Sequence, residues 1–338
     1  MTSKTAGTKK TSPSSTQTSK RPTKGLPQLG VSACLAGERV RWNGGHKHDA
    51  FITGTLARFF HIIPVCPEVS IGLGVPREPI HLVRSGDTIE LEGASKPVRR
   101  HSTAMRVFAR SFAKENKGLC GFVLKKNSPS CGTEKVDLYT EGSKRLSKKG
   151  IGAFASDLVE ELPLLPTIEE TALGDPLKRD HFLAQVFAYY RLQSLIENGF
   201  TPTRLAEFHA QHHYALMAHN TKSLRKLTSL VENPKALKPK TLKDSYSKGF
   251  MELMAEPTTP KKHATVMESM VQSLHHKLDV SDRQELNKSI KDYKEGLIPR
   301  LVPLTLLRHH FRKDKGETIT QQVYLDPTPA EMILRAGS

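Results

Sequence analysis

The spacing of apolar residues changes once along this 338-residue chain, near residue 180, and that change restricts it to two architectures in series. Upstream, short apolar runs alternate with amphipathic stretches. They predict a strand over 28–34, a helix over about 50–60, a strand over 61–65 and a polar hairpin around Gly86-Asp87. A helix over about 101–116, a strand over 118–125, a helix over about 150–161 and a short strand at Leu162 to Leu165 follow. Strands separated by helices imply a small parallel-rich sheet with flanking helices. Downstream the segments are long, amphipathic and punctuated as helices. His181 to Asn198 runs to Gly199, Thr201-Pro202 supplies an N-cap with proline after it, and Ser281-Asp-Arg-Gln284 reads as a capping box on a helix closed by Gly296. The expected fold is therefore α/β followed by an all-helical domain. Its parts are a disordered, low-complexity basic tail over 1–26, an α/β domain over 27–175, a linker from Gly174 to Asp180 and helices over 181–338.

Three of the four cysteines end the predicted strands or follow them in turn-rich segments: Ser32-Ala-Cys34-Leu, Pro64-Val-Cys66-Pro-Glu68 and Asn127-Ser-Pro-Ser130-Cys131-Gly132. In an open α/β sheet ligands gather where strands end, so the three thiols can converge. Soft thiolates suit zinc or an iron–sulfur cluster, and three of them leave one coordination position open for chemistry. The alternative is three inert core thiols, since the long intervals contain no CxxC. Cys120, inside the apolar run Gly118 to Leu124, is a packing residue on this reading.

The flanking residues are more specific. Cys34-Leu-Ala-Gly37, Val40-Arg41-Trp42-Asn43-Gly44-Gly45-His46-Lys47, Pro64-Val-Cys66-Pro-Glu68-Val and Asn127-Ser128-Pro129-Ser130-Cys131-Gly132 resemble, in order, the signature segments of the bacterial thiouracil desulfidase family over roughly residues 28–165. Asn43 stands where that family often has Asp, and Trp42 where Tyr is common. The resemblance implies a [4Fe-4S] cluster on Cys34, Cys66 and Cys131 whose fourth iron takes the sulfur leaving a thiolated pyrimidine. It implies catalytic roles for Glu68 and a serine, Ser128 ahead of Ser130. By residue type, Glu68 can act as general acid or base and the serines can relay a proton or position the base, although Ser and Asn before Pro also cap their own turns. Arg41 and Trp42 can clamp or stack a base, and Arg77 and His46 can hold a base or phosphate. Phe208-His209 through Met217-Ala-His219 resembles a helical domain of unknown function often fused to this desulfidase domain. The fusion is similar to bacterial enzymes that remove sulfur from 4-thiouridine in transfer RNA.

Net charge is +17, distributed as +6 over residues 1–26, +3 over 27–177 and +8 over 178–338. An excess placed outside the catalytic part is superfluous for a free pyrimidine and attracts a polyanion by counterion release. The expected partner is thiolated tRNA. Lys222, Arg225 and Lys226, then Lys235, Lys238, Lys240 and Lys243, form the expected phosphate-tracking surface. His209, His212 or His213, and His219 share a helical face, whose readings are packing, RNA contact or zinc. No apolar stretch is long enough to span a bilayer, the amino terminus has no apolar core of a secretory signal, and four scattered cysteines argue against a disulfide scaffold. The expected compartment is the reducing cytoplasm, with no obligate protein partner evident. Two rival functions remain: a desulfidase of free thiouracil or thiouridine monophosphate, and a zinc-containing RNA-binding adaptor without catalysis.

Overall fold

A computed structural model describes residues 25–141, 144–274, 276, 278–313 and 321–329. The basic tail lies outside them up to residue 24. The amino-terminal part contains two four-stranded sheets. The first consists of β1 (Gln28–Ser32), β2 (His61–Val65), β5 (Leu119–Leu124) and β8 (Thr167–Glu169), in the order β2-β1-β5-β8, all parallel. The second consists of β3 (Ile80–Ser85), β4 (Thr88–Gly93), β6 (Val136–Thr140) and β7 (Arg145–Gly150), in the order β4-β3-β6-β7. It is mixed: β3 pairs antiparallel with β4 and parallel with β6, which pairs antiparallel with β7.

The helices of this part are α1 (Pro67–Ser70), α2 (Ser102–Glu115) and α3 (Ala153–Glu161). Seven more follow: α4 (Pro176–Glu197), α5 (Pro202–His219), α6 (Thr221–Glu232), α7 (Pro239–Ala255), α8 (Pro260–Ser273), α9 (Val280–Lys294) and α10 (Leu301–Lys313). The α/β-then-helical class is thus as expected. The second sheet is not, apart from its Gly86-Asp87 hairpin.

Every residue of β5 is buried, because both faces of the parallel sheet are covered. On one side Met105, Phe112, Phe154 and Leu158 of α2 and α3 pack with Phe122 and Leu124; on the other, Phe182, Val186 and Phe187 of α4 pack with Leu29, Val31 and Val123. Gly121 lets α4 approach: a Cβ there would meet Val186 Cγ2 at 2.6 Å. Further along the same helix, Ala188 and Leu192 enter the core formed with Leu205, Leu216 and Phe250. One helix therefore belongs to both halves.

Four local expectations change. The strand expected at Leu162 to Leu165 lies instead at 167–169, since Pro163 and Pro166 lack the N–H a ladder needs, and Phe122 N donates to Pro166 O at 2.9 Å as β8 begins. The helix over 50–60 is a wide turn over Phe51–Thr55 and a 3-10 turn over Leu56–Arg58, in keeping with Ile52, Thr53, Gly54 and Thr55, all weak helix formers. The stretch from Gly174 to Asp180 runs from the last residue of a 3-10 turn (Glu170–Gly174) into the start of α4 at Pro176, which Asp175 caps by accepting from Leu177 N at 2.9 Å. Helix α9 is capped by Asp279, which accepts from Asp282 N at 2.7 Å, rather than by Ser281.

Candidate functional site

Parallel pairing aligns the carboxyl ends of β1, β2 and β5: Ser32 stands opposite Val65, and Val31 opposite Val123. Cys34 lies two residues beyond β1, Cys66 directly beyond β2 as the N-cap of α1, and Cys131 within the loop between β5 and β6. All three line one cavity of about 380 Å³, together with Arg41, Trp42, Glu68, Lys125 and Ser128. Cys34 and Cys66 are half-buried, and Cys131 is buried. Cys120 is elsewhere, donating to Gln193 Oε1 at 3.1 Å against α4.

Burial pushes the Cys34 thiol up to about 11, with Cys66 adding to the rise and Lys125 and Arg41 opposing it. Burial likewise raises Cys66, opposed in part by Arg77, and raises Cys131, where the Ser32 hydroxyl pulls the other way and Glu68, Cys34 and Cys66 push further. Unligated, these groups are held as thiols; a bound cationic centre would convert them to thiolates. Among the described residues no three His, Cys, Asp or Glu side chains are gathered tightly enough to ligate one metal ion. Three sulfurs on one zinc stand about 3.8 Å apart, given tetrahedral Zn–S bonds of about 2.3 Å. A cluster spreads its ligands over several irons, so each sulfur need reach only its own. Three soft thiols on one cavity, with one coordination position left open, are a donor set that fits a cluster.

Glu68 is fixed from two sides. Arg77 donates to Oε2 through Nε at 2.8 Å and Nη2 at 2.5 Å, while Ser130 Oγ donates to Oε1 at 2.9 Å. Arg77 Nη1 also donates to Gly74 O at 2.9 Å. Both charged side chains are largely withdrawn from water, 5% exposed for Arg77 and 13% for Glu68, so screening is weak. The two serines differ in position. Ser130 is fully buried beneath Glu68, whereas Ser128 lines the cavity and accepts from Ser130 N at 3.2 Å and Cys131 N at 3.1 Å. Ser128 thus shapes the cysteine loop and keeps its hydroxyl proton to donate.

The loop is clamped from behind. Gly152 N donates to Gly132 O at 2.7 Å, Ala153 N to Pro129 O at 2.9 Å and Ala155 N to Ser130 O at 3.0 Å. A Cβ on Gly152 would lie 2.5 Å from the Ser130 carbonyl carbon. Two further residues, Glu169 and Glu170, escape sequence reasoning. Glu169 Oε1 accepts from Thr133 N at 3.0 Å, and Glu170 accepts from Lys126 N at 2.6 Å and from Lys125 Nζ. Their signal is an acidic pair closing a strand, which goes unseen when that strand is placed at Leu162 to Leu165.

Arg41 lines the cavity beside Cys34, and Trp42, 47% exposed, stands at its rim. Arg77 N donates to Trp42 O at 2.9 Å. His46 does not join them: it is exposed, and its Nδ1 accepts from His48 N at 3.2 Å. Far along the chain, Lys235, Lys238 and Lys240 are exposed and Lys243 partly so, around the turn into α7. The histidines of α5 do not gather. His209 sits between Tyr246 Oη at 3.1 Å and Thr228 Oγ1 at 2.9 Å, His213 is exposed, and His212 and His219 face a different cavity.

Each half of the chain is similar to known proteins. Residues 29–170 match the family described as 2-thiouracil desulfurase, and residues 213–329 match the family described as Protein of unknown function (DUF1722). The chain is 26% identical over 159 residues to Uncharacterized protein YbgA of Escherichia coli (strain K12), covering 46% of this chain and 93% of that protein. It is 29% identical over 130 residues to Uncharacterized protein YbbK of Bacillus subtilis (strain 168), covering 36% of this chain and 85% of that one. A solved structure, [4Fe-4S]-dependent thiouracil desulfidase TudS, is 25% identical, with a TM-score of 0.35, covering 43% of this chain and 92% of its own.

Proposed function

We propose, for a chain that carries a 2-thiouracil desulfurase segment over residues 29–170 and a second family segment over 213–329, that it removes sulfur from a thiolated pyrimidine, 4-thiouridine in tRNA, giving uridine and sulfide. The observation that supports this is one cavity bringing three strand-end thiols to the Glu68–Arg77–Ser130 cluster. Cys34, Cys66 and Cys131 would hold a [4Fe-4S] cluster. When bound, it supplies an open iron, a Lewis acid matched to a soft thiocarbonyl sulfur. Arg41 and Lys125 offset the charge of the three thiolates, and the Trp42 ring at the rim offers a face on which the base can stack. Glu68, oriented by Arg77, accepts a proton from the water that adds to the thiolated carbon, and Ser130 holds the second carboxylate oxygen in place. Ser128 donates to the base.

Residues 27–175 would hold the chemistry and 181–338 the RNA. Lys238, Lys240 and Lys243 sit at the amino-terminal end of α7, where the helix dipole repels cations, so a phosphate there relieves two repulsions together. A cytoplasmic, reducing setting suits thiols of this kind. The free base is the second reading, favoured by the family description, because about 380 Å³ suffices for a single base. Anaerobic reconstitution, with iron and sulfide analysis and desulfuration of 4-thiouridine compared in intact tRNA and as nucleoside, is the test. Zinc without iron ends the cluster reading, and equal rates on the two substrates end the tRNA reading.

A further inference from the structure

A guanidinium carries five N–H groups, and Glu68 occupies only two of those on Arg77. Nε donates to Glu68 Oε2 at 2.8 Å, Nη2 to the same oxygen at 2.5 Å, and Nη1 to Gly74 O at 2.9 Å. Nη2 has a second hydrogen, and Cys66 Sγ lies 4.0 Å from that nitrogen, within reach of an N–H···S contact. One nitrogen therefore stands between a carboxylate and the sulfur of a proposed iron ligand. The course of the chain builds this contact. Cys66 and Glu68 begin α1, the left-handed turn through Gly72 and Gly74 brings the chain back, and Arg77 N donates to Trp42 O at 2.9 Å, anchoring the returning segment. The Arg77 side chain is 5% exposed, so water competes little for its hydrogens.

Iron binding changes what Cys66 can do with its neighbours. As a thiol it donates to Val40 O at 3.7 Å; as a thiolate it only accepts. Nη2 then meets an anionic partner on each side, and a hydrogen bond between ions is roughly twice as strong as one between neutral groups. The two charges already oppose each other at this sulfur, Glu68 pushing the Cys66 thiol up and Arg77 pulling it down.

We propose that Arg77 couples Glu68 to Cys66, sharing one positive charge between the carboxylate and the ligand sulfur. This rests on the [4Fe-4S] reading above and goes beyond it, since there Arg77 only orients Glu68. Hydrogen bonds and positive charge at a ligand sulfur raise the potential of an iron–sulfur cluster. Arg77 is thus a positioning residue that acts on the site through two partners at once.

The test is a redox titration of the anaerobically reconstituted full chain, with its iron–cysteine stretching bands recorded in H2O and in D2O. Arg77→Gln should lower the midpoint potential and shrink the deuterium shift of those bands. Glu68→Gln leaves the guanidinium to Cys66 alone, so it should raise the potential and enlarge the shift. In the double variant the effect of Glu68→Gln on the potential should fall about twofold or more, because charges acting independently through space would add. If Arg77→Gln fails to fold, Glu68→Gln decides alone: a deuterium shift equal to wild type overturns the coupling. Additive potentials, or one deuterium shift common to all the chains, overturn it and leave the cluster reading standing. A wild-type chain that reconstitutes without iron and sulfide overturns both, and is recognised before any variant is made.

Discussion

Glu68 and its partners separate holding the site from working it. Glu68→Gln keeps size and the Ser130 contact but loses the charge that Arg77 pairs with, so iron and sulfide content should persist while turnover falls by about 10²-fold. Unchanged turnover would transfer the proton step to another group. The two serines should divide along the same line. Ser128→Ala strips the acceptor from two backbone N–H groups of the Cys131 loop and should reduce iron retention; Ser130→Ala leaves the loop intact and should lower turnover at normal iron. Identical behaviour of the two variants would contradict the geometry. Among the cysteines, Cys131→Ala should abolish iron incorporation, and Cys120→Ala, whose thiol points at Gln193, should not. A full iron and sulfide complement in Cys131→Ala would remove it from the ligand set.

Helix α3 shows how an element without a site residue can set one. Gly152→Ala would force its Cβ onto the Ser130 carbonyl, so the loop or the helix must shift, at a cost of about 1–3 kcal/mol read as a lower denaturation midpoint. No change in midpoint would mean the contact yields freely. Helix α5 carries a pH signature. Burial lowers His209 and His219 to about 4 and His212 to about 3, below the ordinary value of 6.5. Unfolded rings take up protons below pH 6.5 that folded rings refuse, so this stability is complete above pH 6.5 and lost as pH falls toward 4. The loss is up to about 2 kcal/mol per ring at pH 5. Urea midpoints at pH 7 and pH 5 measure it, and equal midpoints would deny it. At this scale the sequence is legible where the apolar pattern is strong, as in β1, β5 and α2. It is not at β6 and β7, where Arg145-Leu-Ser-Lys-Lys149 reads as a polar loop because its strand pairs at a sheet edge. The cysteines and Glu68 are visible in turn chemistry. Glu169 and Glu170 act across the fold on Thr133 and Lys126, a relation no local pattern carries.

At the scale of the molecule, charge and chemistry lie in different places. Replacing Lys235, Lys238, Lys240 and Lys243 by Gln should weaken tRNA binding and flatten its salt dependence by about 0.7–0.9 logarithmic units for each phosphate no longer neutralised. The rate on free 4-thiouridine should hold, because a nucleoside in the cysteine cavity does not reach α7. A tRNA-to-nucleoside ratio and a salt slope both equal to wild type would make this a merely solvated face.

Helix α4 places a boundary on how such a protein can be cut and rejoined. A chain stopped at residue 175 would bare Leu29, Val31 and Val123 where Phe182, Val186 and Phe187 now lie. One stopped at 197 keeps them covered and exposes instead the face of the helix that runs from His181 through Ala184 and Ala188 to Leu192. In any exchange of parts between relatives, the rod travels with the sheet, and the natural seam falls after it, in the short turn before Thr201.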